Sequence, residues 1–215
     1  MSKQLKIALF GATGMIGSRI AAEAARRGHQ VTALVRNPAR VPTDVANLTA
    51  VQADVLDAAS VGAAVRGHDV VASAYSPPHG EAAVVSTATR ALVDGMRAAG
   101  LKRLVAVGGA GSLEVAPGKQ LVDTEGFPDA YKAVALAHRD VLTYYRGVTD
   151  LDWTFFAPAA LIAPGERTGA FRTGTNTLLA DAEGNSRISA EDYAVAFVDE
   201  LEQGRFVHQI ATVAY

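Results

Sequence analysis

The sequence predicts an α/β fold built on a doubly wound, largely parallel sheet, and three observations carry that reading. Short β-branched runs alternate with alanine-rich stretches of helical period along most of the 215 residues, and strands separated by helices pair in parallel. Strand candidates such as VVASA at 70–74 are apolar almost throughout, which suits a sheet covered on both faces. Between the first strand and the first helix lies GATGMIG at 11–17, with glycines three residues apart.

The elements follow in order. LKIALF leads through the glycines into SRIAAEAARRG, QVTALVR into a proline-containing loop, and NLTAVQAD into AASVGAAVRG. HDVVASAY, RLVAVGG and DWTFFAP continue the strands, with EAAVVSTATRALVDGMRAAG and DAYKAVALAHRDVLTYYRG as the helices between them. Gly28, Gly67 and Gly100 each follow a helical stretch, where C′ glycines belong. From about residue 159 the alternation gives way to a Gly-, Thr- and charge-rich segment. Residues 159–189 are therefore expected to form a small cap or hairpin on the substrate side. A helix over about 190–203 and a final strand near HQIATVA close a single domain spanning 1–215.

Composition narrows the function. The chain is 49% apolar and 20% charged with a net charge of −2, so nothing calls for nucleic acid or a membrane surface as partner. No cysteine is present, which excludes disulfides and thiolate chemistry and fits a reducing compartment. The apolar run before Gly11 is too short for a signal peptide, and no run approaches the ~18 residues of a membrane helix. Cytoplasm is the expected setting, with a small-molecule acceptor as partner and a monomer or homodimer as the assembly. The five histidines show no ligand spacing, so no metal is expected.

After a strand, Gly11 permits a tight turn, Gly14 lets backbone N–H groups approach a pyrophosphate, and Gly17 lets the helix pack against the strand. The helix N-terminus then offers unpaired donors and a positive dipole end to the anion. The expectation is a Rossmann-type dinucleotide site. The second strand ends in Arg36, where NAD-preferring proteins carry an acid, and Arg40 follows closely. An arginine suits a 2′-phosphate, so NADP(H) is expected over NAD(H).

Further motifs are SAYSPP at 73–78, VAVGGAGSL at 105–113, LDWTFFAPAALIAPGERTGAFR at 151–172 and SRISAEDYAVAFVDELE at 186–202. With GATGMIG and VRNPAR, they resemble the NADH-flavin reductase group of atypical short-chain dehydrogenases/reductases, related to the NmrA-like proteins and to the biliverdin-type flavin reductase. The resemblance implies a nicotinamide cofactor held by the loop Gly11, Ala12, Thr13, Gly14, Met15, Ile16 and Gly17, with Arg36 at the 2′-phosphate. Asp54 and Val55 would lie beside the adenine; Asp54 also reads as a turn or N-cap aspartate. Ser73, Ala74 and Tyr75 would follow the cofactor toward its nicotinamide ribose, Gly108 and Gly109 would end the fifth strand beside it, and Pro158 would end the sixth.

The superfamily's usual Tyr-x-x-x-Lys is absent. Tyr131 is followed four residues later by Ala135, while His138 falls at the lysine's place and Val134 at the tyrosine's. Tyr131 and His138 are the catalytic candidates, and His79 in SPPHG is a lid candidate. Carbonyl reduction needs a proton at the developing alkoxide, whereas hydride transfer to a flavin (FMN or FAD) or quinone depends mainly on ring contact. The missing dyad favours a flat acceptor, with a dinucleotide sensor or a specific carbonyl reductase or isomerase as alternatives. Glu191 and Asp192 after Ser189 read as the acidic first turn of a capped helix.

Overall fold

The computed structural model describes residues 3–77 and 81–215. In chain order the elements are β1 Lys6–Phe10, α1 Met15–Arg26, β2 Gln30–Val35, β3 Leu48–Gln52, α2 Ala58–Val65, β4 Val70–Ser73, α3 Val84–Ala99 and β5 Arg103–Val107. A hairpin of β6 Glu114–Ala116 and β7 Lys119–Gln120 follows, then α4 Asp129–Arg146, β8 Asp152–Ala157, β9 Leu161–Ala163, β10 Arg172–Thr175, β11 Arg187–Ser189, α5 Ala190–Gln203 and β12 Gln209–Ala214.

Eight strands form the main sheet in the order β10-β12-β8-β5-β4-β1-β2-β3. Every pairing in it is parallel except β10 with β12. The chain winds outward from β1 in both directions, so the strand order reverses between β1 and β4. A crevice opens there at the carboxyl ends of the strands.

The apolar strands are explained by two cores. Along β1, Ile7 and Leu9 join the cluster under α1 and α5, while Ala8 and Phe10 join the one under α2, α3 and α4. Each large side chain so buried contributes roughly 1.5–3 kcal/mol. Helix ends follow their local chemistry: Gly28, Gly67 and Gly100 all take positive φ behind their helices, and the Ser189 hydroxyl accepts the Asp192 N–H at the start of α5. No helix among the described residues is long and apolar enough to cross a membrane.

The 159–189 segment divides into three. Residues 172–175 do not stand beside the sheet but extend it as the antiparallel edge strand β10. β9 and β11 form a separate parallel pair. Between β9 and β10, residues 164–169 lie along α1 and α5, tied to both by side chains. Threonines and glycines gave no alternating apolar pattern to mark β10, because its core contacts are supplied by β12.

Candidate functional site

At the reversal between β1 and β4 the strand ends enclose a cleft of about 320 Å³. Gly11, Thr13 and Gly14 form one wall, Arg36 and Arg40 the end of β2, Asp54 and Val55 the end of β3, and Ala74 and Tyr75 the end of β4. Arg36 and Arg40 are exposed, and neither has a carboxylate within salt-bridge distance among the described residues. The Asn37 side chain accepts the Ala39 N–H and starts the 3₁₀ turn Pro38–Arg40, which sets Arg40 at the cleft. Burial pushes the Tyr75 phenol up, with the Arg36 guanidinium opposing it. Asp54 is a turn aspartate: its Oδ1 accepts the Leu56 N–H at 3.0 Å.

The three glycines serve three different purposes. Gly11 has φ +80°, and a Cβ there would lie 2.3 Å from the Ala74 carbonyl oxygen. A Cβ on Gly17 would lie 2.0 Å from the Gly11 carbonyl oxygen, so this glycine lets α1 sit against the loop. Gly14 is different, since the nearest atom to its Cβ would be 3.5 Å away, an ordinary contact. Gly14 is also the N-cap of α1, extended (φ −82°, ψ 170°) and without a side-chain cap, and the first turn holds no acid. The N–H groups of that turn have no intrahelical partners and face the cleft side with the positive end of the helix dipole. Ala12 and Gly17 are buried, and neither they nor Met15 and Ile16 line the cleft. Met15 is 42% exposed, and Ile16 is half-buried.

Toward β5 the site narrows. Ser73 and Tyr75 line a crevice of about 20 Å³ together with His138 of α4. Burial drives the His138 imidazole down to about 4, so the ring is neutral at physiological pH. Gly109 packs against His138 and Gly108 against the Phe155 ring, where a Cβ would lie 2.2 Å from a ring carbon. Pro158 is buried immediately beyond β8. Gly108, Gly109 and Pro158 thus sit at the expected strand ends but line neither cavity. Tyr131 is 60% exposed in the first turn of α4. It shares a helix face with His138 but stands about 10 Å further along the axis, so the two do not converge. His79 lies outside the described residues. Thr89 and Tyr145 also line the crevice. Their helical spacing reads as core, and no sequence signal separates them from it.

The Glu191–Asp192 pair is structural. Asp192 is fully buried and accepts from Thr168 N, Thr168 Oγ1, Gly169 N and the Tyr215 hydroxyl at 2.6–3.0 Å. Glu191 joins Arg19 of α1 to the Gly165 N–H, and Arg167 pairs with Glu23 of α1. These bonds account for the PGERTG motif: it is a strap bound to α1 and α5. No group of three or more His, Cys, Asp or Glu side chains that could hold a metal occurs among the described residues.

Comparison with known proteins agrees with this architecture. Residues 11–203 match the family model described as NAD(P)H-binding. A Burkholderia pseudomallei protein, provisionally named an exported protein, is 71% identical with a TM-score of 0.92, covering 99% of this chain and 100% of its own. A Bacteroides thetaiotaomicron protein provisionally named an epimerase is 38% identical with a TM-score of 0.92, covering 99% and 98%. A Streptococcus pneumoniae protein provisionally named an NADH-flavin reductase is 32% identical with a TM-score of 0.88, covering 98% and 99%. The glycine loop, the reversal crevice and these likenesses agree, and the chain belongs to the NAD(P)H-binding family, in keeping with the atypical short-chain dehydrogenase/reductase and NmrA-like group.

Proposed function

We propose that this NAD(P)H-binding, oxidoreductase-type protein is a reductase that prefers NADP(H) and serves a flat acceptor, a flavin or a quinone. The contrast between the two ends of the site carries the reading. One end presents two guanidinium groups without carboxylate partners among the described residues, and at the other the lysine's place in the helix is filled by a neutral imidazole. In this reading Gly11, Thr13, Gly14, Met15 and Ile16 hold the pyrophosphate through backbone N–H groups, and Arg36 and Arg40 take the 2′-phosphate in charge-assisted hydrogen bonds. Asp54 and Val55 border the adenine, while Ser73, Ala74 and Tyr75 lead toward the nicotinamide, with Gly108, Gly109 and Pro158 at the strand ends beside it. When bound, the dinucleotide supplies a hydride. The protein's own part is to bind and orient the two rings, which accounts for much of the rate in such a transfer.

The name of the Streptococcus relative supports the flavin acceptor. We further propose that the chain acts as a monomer or homodimer on a small molecule in the cytoplasm. The lack of cysteine fits that setting, against the exported label of the Burkholderia relative. A second reading, a dinucleotide sensor without turnover, is favoured by the breadth of the cleft, about 320 Å³, against a crevice of about 20 Å³ at the reaction end. Steady oxidation of NADPH with and without FMN separates the two: the reductase consumes NADPH when FMN is added, whereas a sensor binds NADPH and turns nothing over. Arg36→Ala tests the cofactor preference. Loss of a charged hydrogen bond of ~1.5–3 kcal/mol weakens NADPH about tenfold to hundredfold, and NADH titration is left nearly unchanged.

A further inference from the structure

The helix that starts at the glycine loop is gripped from outside at its first turn. Arg19 donates from Nη1 to the Met15 carbonyl at 2.8 Å and from Nε to Oε1 of Glu191 on α5. The other oxygen of Glu191 accepts the Gly165 N–H at 2.7 Å. Burial alone would raise the Glu191 carboxyl, but the bonds from Arg19 and Gly165 outweigh that and hold it below its ordinary value, so it is charged at neutral pH. α1 and α5 run side by side in parallel, since Arg27, eight residues after Arg19, pairs with Asp199, eight after Glu191. Arg19 is thereby held on two sides.

The bonded carbonyl matters because of the peptide it belongs to. The Met15 carbonyl and the Ile16 N–H are the two ends of one peptide plane. Peptide N–H groups point toward the amino end of a helix, and that end is Gly14, which lines the cleft. The helix supplies no partner for the Ile16 N–H; its ladder begins with the Ser18 N–H, bonded to the Gly14 carbonyl at 3.0 Å. A guanidinium on the oxygen of that plane fixes its orientation. It also polarises the N–H at the far end, because hydrogen bonds in series strengthen one another.

We propose that Arg19 is a positioning residue for the dinucleotide, holding the Met15–Ile16 peptide so that its N–H serves the pyrophosphate, and that Glu191 serves the same end by orienting Arg19. This role rests on dinucleotide binding at the glycine loop, and on neither the reductase reading nor the preference for NADP(H). Glu191 touches no ligand and acts only through Arg19. Because both dinucleotides carry the pyrophosphate, loss of either side chain weakens NADPH and NADH alike, whereas loss of Arg36 separates them. Simple attraction between charges has a different signature. If Arg19 acted only as a distant positive charge, removing the negative charge of Glu191 would tighten the binding of an anion. If Arg19 must be oriented, removing it weakens binding.

The test is titration of wild type, Arg19→Met and Glu191→Gln with NADPH and with NADH, with thermal melts of all three. Glutamine keeps the length of Glu191 but has one side-chain oxygen where two are in use. Each substitution is expected to weaken both cofactors by about twofold to tenfold, the worth of one net hydrogen bond, and to leave the ratio of the two affinities as in wild type. Where Arg19→Met melts early, Glu191→Gln carries the test. Unchanged or tighter binding in folded Glu191→Gln would overturn the proposal, as would a loss confined to one cofactor. Wild-type protein that titrates with neither cofactor would overturn the dinucleotide reading and this role with it; wild type that binds beside variants that bind equally well would overturn this role alone.

Discussion

At residues 11–17 main chain is held by main chain. The Gly11 carbonyl accepts the Gly14 N–H at 3.1 Å, and the close approaches at Gly11 and Gly17 are to backbone atoms of Ala74, Tyr75, Ala12 and Gly11 itself. At residues 164–169 the chain is held by side chains distant in sequence: Glu23 takes Arg167, Glu191 takes Gly165, and Asp192 takes Thr168 and Gly169. The first arrangement tolerates little chemical change but needs no ionised group. The second depends on carboxylates remaining charged. A ligand whose negative charges meet N–H groups is served by the first kind of wall.

The largest expected effect breaks the first wall. In Gly17→Ala the new Cβ would have to displace the Gly11 carbonyl, 2.0 Å away. Overpacking of this kind costs about 1–3 kcal/mol and occasionally more; backbone on both sides puts this substitution at the upper end. Denaturant unfolding of the variant is expected to show a lower midpoint, and an unchanged midpoint would mean that α1 is free to shift.

Acid tests the second wall. Glu23 has its side chain 5% exposed; burial alone would raise its carboxyl, but Arg167, Arg26 and Arg27 outweigh that and hold it down at about 2, against an ordinary 4.5. Its folded-state value is depressed, so its stabilisation is present above pH 4.5 and is lost as pH falls from there through about 2. A shift of that size corresponds to on the order of 3 kcal/mol. Hydrogen exchange in 164–170 is expected to quicken at the acid end of that window before exchange in β1 does, and Glu23→Gln should flatten that pH dependence. Equal acid sensitivity in both segments would remove the distinction.

This contrast also decides what could be read in the sequence. The glycine loop, the strand series and the α5 cap were legible because each is a local constraint: a spacing, a period, or a hydroxyl three residues before an N–H. PGERTG stood out as a motif, but its meaning depends on Glu23, Glu191 and Asp192, which only the fold brings near. β10 was hidden for the same reason, a strand whose partner β12 comes 36 residues or more later in its register. At the site, Arg36, Asp54 and Tyr75 were reachable because strand ends define the crevice. The burial of His138 and the exposure of Tyr131 were not, since seven residues along one helix face do not tell depth.

The smallest effect is expected at these two side chains. With the His138 imidazole neutral and Tyr131 60% exposed, His138→Ala and Tyr131→Phe are each expected to lower kcat/KM for FMN by less than the ~10²–10⁴-fold expected on losing a general acid. A thousandfold fall in either would move the reading to a specific carbonyl reductase.

In the proposed reading, the cleft at the β1–β4 reversal takes a dinucleotide through the backbone of the glycine loop. Gly14→Val addresses it most directly, because a Cβ there meets nothing closer than 3.5 Å in the protein while projecting at the start of α1 where the pyrophosphate must approach. NADPH titration of wild type and variant, with thermal melts of both, is the measurement. The variant is expected to melt close to wild type, with NADPH binding abolished. A folded Gly14→Val protein that titrates with NADPH as wild type does would contradict it.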